Sequence, residues 1–280
     1  MQTLNTVADL RAQVRTWKRE GLRVGFVPTM GNLHAGHFAL VELARKHVDR
    51  VVASIFVNPT QFGPNEDFAR YPRTIDADAA GLAEHGCAAL FAPSVEEMYP
   101  YGTGHEVYMR VPGLTTILDG AHRPGHFEGV ATVVSRLFNM VQPDVAVFGQ
   151  KDFQQLQVIR YLVRELAFPI EIVAAPTARA DDGLALSSRN QYLSSAERAI
   201  APEIHRVLFA MRVTSRARMP LSVVESDAAQ RLTAAGFVVD YAAILRSDLS
   251  VPDPDDRLGL VALIAAKLGR TRLIDNMLLD

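Results

Sequence analysis

The sequence predicts an α/β protein: a doubly wound parallel sheet followed by a smaller C-terminal α+β domain. Short apolar runs rich in β-branched residues alternate with longer segments of helical period, a pattern typical of parallel strands joined by crossover helices. The runs are apolar on both faces, as expected of strands covered by helices on both sides. After Pro176 the alternation stops, and helical segments are followed by strand-like ones. The domain boundary is therefore expected between residues 176 and 177.

The predicted elements follow in chain order. The strands of the first domain, residues 1–176, are Leu22–Val27, Val51–Val57, Ala88–Ala92, Val145–Phe148 and Ile170–Ala174. Its helices are the N-terminal segment, His37–Val48, Thr74–His85, Gly129–Val141 and Asp152–Leu166. The second domain, residues 177–280, is expected to close over the site. Its helices are Ala196–Arg212 and Ser222–Ala235, and its strands are Val238–Leu245, Leu258–Ala266 and Arg272–Leu278.

Composition excludes several classes of function. Twenty-nine Lys and Arg against 31 Asp and Glu leave a net charge of −2, so bulk attraction cannot hold nucleic acid or an anionic membrane. The longest apolar stretch, Leu258–Ala266, is about half of the ~20 residues that a membrane span needs. Cys87 is the only cysteine, which suits a reducing cytoplasm, and the charged N-terminal segment is unlike a secretory signal. We therefore expect a cytoplasmic protein without membrane or nucleic-acid partners.

The segment Pro28–His37, PTMGNLHAGH, lies between the first predicted strand and its helix. Open α/β sheets bind ligands at the carboxyl ends of their strands, and free N–H groups at a helix N-terminus favour phosphate. His34 and His37 add donors there, and Gly31 and Gly36 let a ring or a phosphate approach the backbone. Neither a Walker Gly-Lys-Ser/Thr nor a G-x-G-x-x-G sequence occurs, so the pattern predicts a nucleotide site of the HxGH kind.

A zinc site is the alternative interpretation of the same histidines, with His34, His37, His122 and His126 as ligands. It is disfavoured because the His-Glu-x-x-His spacing is absent and no nearby carboxylate pairs with these histidines in the sequence. In addition, Gly36 suits a packed nucleotide better than a cage of metal ligands.

Polar residues follow two further strands at the same predicted sheet edge. The amides of Asn58 and Gln61 can hydrogen-bond a hydroxyl or a carboxylate in the crevice without adding charge. Lys151 follows Gly149 at the end of another strand. Only 4 of the 29 basic residues are lysine, so a lysine at this point indicates a need for a compact cation that contacts phosphoryl oxygens. Asp152 starts a helix as an N-cap, which is compatible with a contact to ribose.

A polar loop near the expected domain junction carries Ser187, Ser188 and Arg189. Two hydroxyls followed by a guanidinium predict a phosphate clamp, and a loop at a junction is able to close over a nucleotide. Arg123 precedes a predicted helix and is expected to be free to pair with an anion.

Seven segments together closely resemble the pantoate–β-alanine ligase (pantothenate synthetase) family, over nearly the whole chain. They are PTMGNLHAGH (28–37), SIFVNPTQF (54–62), YPRT (71–74), RPGHFEGV (123–130), FGQKDFQQ (148–155), LALSSRN (184–190) and RLIDN (272–276). HxGH alone indicates only the wider superfamily of nucleotidylyltransferases and class I aminoacyl-tRNA synthetases, with its Rossmann-like fold. The ordered set is specific to the one family.

The resemblance implies an ATP-dependent ligase that makes pantothenate, a precursor of coenzyme A. The carboxylate of (R)-pantoate attacks the α-phosphate of ATP and releases pyrophosphate, and the amine of β-alanine then attacks the pantoyl adenylate and releases AMP. Mg²⁺ is implied as the ion of the triphosphate, held largely by phosphates and water. Members of the family are typically homodimers.

The resemblance also implies residue roles. His37 is the expected proton donor toward pyrophosphate, His34 contacts phosphate, and Lys151 neutralises phosphate charge as the third catalytic residue. The expected ATP-binding positions are Met30, Gly31, Asn32, Leu33, His34, Ala35, Gly36, His37, Gly149, Gln150, Lys151, Asp152, Ala178, Leu186, Ser187, Ser188 and Arg189. Gln61 and Gln155 are expected to bind pantoate. Asn58 and Arg123, which are expected near the substrate from their places in the sequence and not from the resemblance, complete the substrate-binding set. Because Ala77 stands where some relatives carry a further acidic residue, Asp78 is the remaining candidate for a contact with the metal shell.

The sequence leaves two other functions to be weighed against a ligase. A nucleotidylyltransferase that leaves AMP on a phosphate acceptor is disfavoured, because such an acceptor calls for cations where this chain has Gln61 and Gln155. An RNA-binding fragment of a synthetase is disfavoured by the neutral charge balance and the lack of a basic aromatic surface.

Overall fold

The computed structural model describes residues 1–64 and 66–280. The chain forms two compact units, of which the first comprises Met1–Gly149 and Val158–Ala175 and the second Gln150–Gln157 and Pro176–Asp280. The expected boundary at 176 and 177 lies beside one of these limits, while the segment 150–157 groups with the second unit. In the part of the chain that is described, no helix is both long enough and apolar enough to cross a membrane.

The first unit contains a parallel sheet flanked by helices. Its strands are β1 (Gln2–Leu4), β2 (Val24–Thr29), β3 (Arg50–Ile55), β4 (Ala89–Phe91), β5 (Val145–Gly149) and β6 (Glu171–Ala175). The helices along this part of the chain are α1 (Val7–Arg19), α2 (Ala35–Ala44), α3 (Ile75–Glu84), α4 (Val95–Met98), α5 (Asp119–His122), α6 (His126–Val141) and α7 (Phe153–Glu165). The strand order is β1-β4-β3-β2-β5-β6, and every neighbouring pair is parallel, which confirms the predicted doubly wound sheet.

The strand order places a switch point beside β2. The chain passes from β2 to β3 on one side, while β5 pairs with β2 on the other, with Gly25 opposite Val145. The crevice at the carboxyl ends of β2 and β5 is therefore the position where an open α/β sheet binds ligands. The core around these strands is apolar on both faces, as the sequence predicts: Val24, Phe26 and Val27 of β2 are all inaccessible to solvent.

β1 is absent from the sequence-based expectation. Gln2 and Thr3 are exposed and only Leu4 is buried, so this three-residue segment has no apolar run that predicts a strand. It becomes a strand because it pairs with β4, with Gln2 opposite Ala89 and Leu4 opposite Phe91. Pairing of this kind joins residues far apart in the chain and has no local signal.

The second unit is a small α+β structure, as predicted. Its antiparallel sheet has the order β7 (Val238–Arg246), β8 (Leu260–Leu268) and β9 (Thr271–Leu278). Its helices are α8 (Ser195–Ile200), α9 (Glu203–Arg216) and α10 (Leu221–Ala234). The single helix expected over 196–212 is therefore two helices, because Pro202 has no N–H to continue the first. Ile204, Leu208 and Leu232 of these helices form a common core with Leu260 and Ile264 of β8.

Candidate active site

The loop after β2 is held by a carboxylate from α3. Gly31 and Asn32 both adopt left-handed backbone conformations, with φ of 82° and 52°. This turn directs two successive N–H groups at one anion: Asn32 N donates to Asp78 Oδ2 and Leu33 N to Asp78 Oδ1, each at 2.8 Å. A Cβ on Gly31 would lie 3.0 Å from Ile55 and 3.2 Å from Asp78 Oδ2, so only glycine fits both the turn and the space.

The bonding of Asp78 does not fit a direct Mg²⁺ ligand. The side chain is buried, both oxygens accept backbone N–H groups, and Oδ2 also accepts the hydroxyl of Thr74 at 3.1 Å. Over residues 1–64 and 66–280, no group of three or more His, Cys, Asp or Glu side chains is arranged to hold a metal. The carboxylate instead anchors the loop that carries the two histidines.

His34 and His37 form a reciprocal cap at the start of α2. His34 is the N-cap residue and its Nδ1 accepts the N–H of Gly36 at 3.1 Å, while Nδ1 of His37 accepts the N–H of His34 at 3.3 Å. The ring centroids lie 4.1 Å apart. Because Nδ1 of each ring is an acceptor, the proton of each neutral ring is on Nε2.

This cap contradicts the expectation that backbone N–H groups at the start of α2 are available to bind phosphate. The N–H groups of Asn32, Leu33 and Gly36 are all used within the protein. The HxGH segment therefore provides imidazole N–H donors held in one orientation, and most of its backbone is committed to holding them. Sequence reasoning found the two histidines but not the role of Asp78, which has no local signal beyond its place in the first turn of α3.

Gln61 and Asn58 lie together in a buried network after β3. Asn58 Nδ2 donates to Gln61 Oε1 at 3.1 Å and to the carbonyl of Gly129 at 3.3 Å. Asn58 Oδ1 accepts Tyr99 OH at 2.8 Å and Thr60 Oγ1 at 3.1 Å. Asn58 is only 1% exposed, against 8% for Gln61.

The expectation that Asn58 itself faces the ligand crevice is therefore wrong. An amide that is buried and bonded at both ends has no group left for a substrate, and its bond to Gln61 gives it a positioning role instead. Gly129 on α6 permits this packing, because a Cβ there would lie 2.5 Å from the carbonyl oxygen of Thr60. Tyr99 is a further member of the network that sequence reasoning missed.

The expectation that Arg123 is free for an anionic substrate is also wrong. Its guanidinium binds Glu66 in a bidentate pair, with Nε and Nη2 each 2.6 Å from a carboxylate oxygen, and Nη1 lies 2.8 Å from His126 Nε2. Although burial raises the pKa of Glu66, the hydrogen bond and the charge of Arg123 hold it below its ordinary value. The pair is satisfied internally, which removes Arg123 from the substrate-binding set.

His126 connects this ion pair to Gln61. Its Nδ1 lies 2.9 Å from the carbonyl oxygen of Gln61, so that Nδ1 carries the ring proton and Nε2 accepts from Arg123. Burial lowers the pKa of His126 to about 4, and the adjacent charge of Arg123 acts in the same direction. The backbone carbonyl of Gln61 thus accepts a hydrogen bond from a neutral imidazole.

This arrangement predicts a loss of stability in mild acid. The pKa of His126 falls from an ordinary value of 6.5 to about 4 on folding, so the unfolded chain binds the proton first as the pH falls. The stabilisation is complete above pH 6.5 and is lost toward pH 4. Between pH 7 and 4.5, the free energy of unfolding measured by urea denaturation should fall less in His126→Gln than in wild type. We expect the difference to be about 2 kcal/mol. The exposed control His105→Gln should show the same pH dependence of the free energy of unfolding as wild type. If all three proteins showed the same pH dependence, the assignment would be contradicted.

In the second unit, Lys151 follows β5 and precedes α7. The carbonyl of Asp152 accepts the N–H of Leu156 at 2.9 Å, which places Asp152 at the predicted N-cap of this helix. Lys151 and Gln155 are half-buried. The backbone carbonyls of Gln150 and Lys151 both accept from the side chain of Asn276 on β9, a residue for which the sequence indicated no role.

The segment 178–190 of the same unit is an ordered turn and cap. Leu186 N donates to the carbonyl of Ala178 at 2.9 Å, and Ser187 Oγ accepts the N–H of Arg189 at 3.3 Å at the start of a 3-10 helix over Ser188–Tyr192. Arg179 fastens the turn to β9 through Asp275, with Nη1 and Nη2 at 2.6 and 2.9 Å from its carboxylate oxygens. Strand β9 thus holds both Lys151 and the base of this loop.

The chain matches the family described as pantoate-beta-alanine ligase over residues 2–278. It is 60% identical over 277 residues to the pantothenate synthetase of Stenotrophomonas maltophilia (strain K279a) and 59% identical to that of Xanthomonas euvesicatoria pv. vesicatoria (strain 85-10), with 99% of each chain covered.

Solved structures agree with the sequence match. Pantothenate synthetase from Thermus thermophilus has a TM-score of 0.92 at 49% identity, covering 100% of this chain and 99% of that one. Pantoate-beta-alanine ligase from Francisella tularensis, complexed with beta-gamma ATP and beta-alanine, has a TM-score of 0.83 at 32% identity, covering 100% and 98%.

Proposed function

The chain belongs to the pantoate–β-alanine ligase family, and from this premise we propose that it condenses (R)-pantoate with β-alanine through a pantoyl adenylate. The observation that carries the proposal is the reciprocal His34–His37 cap beside the switch point of a parallel sheet. It holds two imidazole N–H donors where such sheets bind nucleotides. The substrates are ATP, pantoate and β-alanine, and the products are pantothenate, AMP and pyrophosphate.

The first step forms a phosphorus–oxygen bond between a carboxylate oxygen of pantoate and the α-phosphorus of ATP. The bond from that phosphorus to the bridging oxygen breaks, and pyrophosphate leaves with the electron pair. In the second step the amine of β-alanine attacks the acyl carbon, and the bond to the AMP oxygen breaks. The amine loses a proton as the amide forms. Neither step needs a protein nucleophile, because positioning and charge neutralisation supply the rate enhancement.

We assign the phosphate contacts to the histidines and to a cationic group in the second unit. His37 donates the Nε2 proton toward the leaving pyrophosphate, and Nε2–H of His34 donates to phosphate oxygen. Lys151, Ser187, Ser188 and Arg189 neutralise the phosphates. The adenosine part is assigned to Gly149, Gln150, Asp152, Leu186 and the backbone near Ala178.

Mg²⁺ is proposed only as the ion that accompanies ATP. The bonding of Asp78 argues against a direct protein ligand at that position, because both of its oxygens accept N–H groups of the histidine loop. Magnesium keeps much of its water and binds triphosphate oxygens readily, so a protein cage is not required. A homodimer in the cytoplasm is the expected state of the enzyme.

Pantoate recognition is assigned to the amides of Gln61 and Gln155, with Asn58 as a positioning residue behind Gln61. We expect Gln61→Ala to raise the KM for pantoate about fivefold and to leave the KM for ATP nearly unchanged, because one hydrogen bond is worth about 1 kcal/mol. Initial rates at saturating ATP measure the change. The exposed control Gln230→Ala should match wild type, and an unaltered pantoate dependence would remove Gln61 from the site.

Pyrophosphate release tests the proposed reaction directly. With ATP, Mg²⁺ and pantoate, the enzyme should release pyrophosphate before β-alanine is added, and pantothenate and AMP should accumulate only afterwards. Pantoate labelled with ¹⁸O in its carboxylate should transfer one ¹⁸O to AMP, because the acyl–oxygen bond breaks in the second step. Release only with a phosphorylated acceptor would indicate a nucleotidylyltransferase, and AMP without label would exclude the adenylate.

A further inference from the structure

Asn276 is a buried polar residue on β9 that the reaction described above does not use. It is 3% exposed, and its Nδ2 donates to the backbone carbonyls of Gln150 and Lys151, each at 2.9 Å. These carbonyls belong to the turn that precedes α7, outside the helical hydrogen bonds that begin at Asp152. The side chain therefore donates hydrogen bonds to the peptide units on both sides of the Lys151 Cα.

The chemistry of this contact requires a carboxamide. Two carbonyl oxygens face the same nitrogen, so both hydrogens of Nδ2 are used and the opposite orientation of the amide would place Oδ1 against two acceptors. An aspartate of the same size would place a charged oxygen against the carbonyls. An alanine would leave both carbonyls without this donor. Two bonds to successive carbonyls also restrain the backbone dihedrals of Lys151, which set the direction of its side chain.

Asn276 is itself held in place by the sheet and by its neighbour. It pairs with Leu263 of β8, and its N–H donates to Asp275 Oδ1 at 2.8 Å. The carboxylate of Asp275 is buried and is bound in turn by both terminal nitrogens of Arg179. The anchor of Lys151 thus lies on strand β9, paired with the central strand β8, rather than on a loop.

We infer that Asn276 is a positioning residue for Lys151: it holds the lysine backbone so that the ammonium group reaches the phosphates of ATP during adenylate formation. This inference rests on the proposed function and on the role assigned there to Lys151. It extends that assignment to a residue that has no substrate contact in the proposed function. A tight backbone anchor is needed because a displacement of about 1 Å in a catalytic group costs on the order of 100-fold in rate.

The test compares single-turnover pyrophosphate release in Asn276→Ala and Asn276→Asp, with melting curves on the same samples. We expect the alanine variant to lose about tenfold in the rate of adenylate formation and the aspartate variant more, with the KM for pantoate within about twofold of wild type. The matched control is Arg216→Ala, which removes another side-chain bond to the backbone of this unit, from Arg216 Nε to the carbonyl of Leu279. It should lower the melting temperature without lowering the rate.

A double-variant comparison separates positioning from general stability. If Asn276 acts through Lys151, then Asn276→Ala should change the rate by less than about twofold when Lys151 is already alanine. An equal loss in both backgrounds, or a wild-type rate for both Asn276 variants, would overturn the inference while leaving the proposed function intact. Wild-type enzyme in the same assay tests that function, and if it releases no pantoate-dependent pyrophosphate, both the function and the inference fail.

Discussion

Replacement of Lys151 by alanine should lower the rate of pantoate-dependent pyrophosphate release about 100- to 1,000-fold, the cost of removing one donor to a developing oxyanion. Charge moves onto the bridging oxygen as pyrophosphate leaves, and the ammonium group is proposed to neutralise it there. ATP binding depends on many contacts, so the KM for ATP should change by less than about threefold. Stopped-flow detection of pyrophosphate under single-turnover conditions gives the rate.

Two further variants make this prediction specific. Lys151→Arg keeps the charge but replaces a compact ammonium with a planar guanidinium, so we expect only partial recovery of the rate. Lys267→Ala removes an exposed lysine from β8 of the same unit and should be indistinguishable from wild type. Near-normal turnover in Lys151→Ala would refute the assignment of Lys151 to the phosphates.

Replacement of His37 by alanine should slow adenylate formation about 100-fold or more, the usual contribution of a positioned proton donor. The change also removes a structural bond, because Nδ1 of His37 accepts the N–H of His34 at 3.3 Å. His37→Asn separates the two effects, since an asparagine oxygen is able to accept the N–H but its amide does not donate a proton to a leaving group. We therefore expect both variants to be slow.

The outcome is decided by comparing the two variants in the same single-turnover assay. Full recovery in His37→Asn would mean that His37 only caps the helix, and the proton would then come from another group. His105→Ala is the control, because His105 is exposed in the same unit and lies far along the chain from the HxGH segment. Its rate of pyrophosphate release should equal that of wild type.

Most of the fold was predictable because the signals are local. Apolar runs predicted β2 to β6 to within a few residues, and the helical period predicted α1 and four of the crossover helices. The sequence does not predict β1, α4 or α5, and β1 forms only because it pairs with β4. The break between α8 and α9 has a local signal, Pro202, which the single helix expected over 196–212 does not take into account.

The candidate site likewise contains residues with a local sequence signal and residues whose partners depend on packing. His34 and His37 were found from sequence because strand, turn and helix follow one another within ten residues. The sequence favours Asn58 at the substrate because this amide follows a strand at the ligand-binding edge of the sheet, and Arg123 because this cation precedes a helix. Both are instead bonded internally, Asn58 to Gln61 and Gly129 and Arg123 to Glu66 and His126. Residue type indicates what a side chain is able to bind, whereas its partners depend on packing.

By itself, the sequence determined the α/β class, the family and the chemical groups available for phosphate and carboxylate binding. These properties follow from hydrophobic period and short motifs, which are local. Three contacts were decided only by the tertiary structure. Asp78 accepts hydrogen bonds from the histidine loop, Glu66 forms an ion pair with Arg123, and Asn276 donates hydrogen bonds to the backbone on both sides of the Lys151 Cα. The partners in these contacts are 46, 57 and 125 residues apart, and hydrogen bonds over such separations form only when packing brings the elements together.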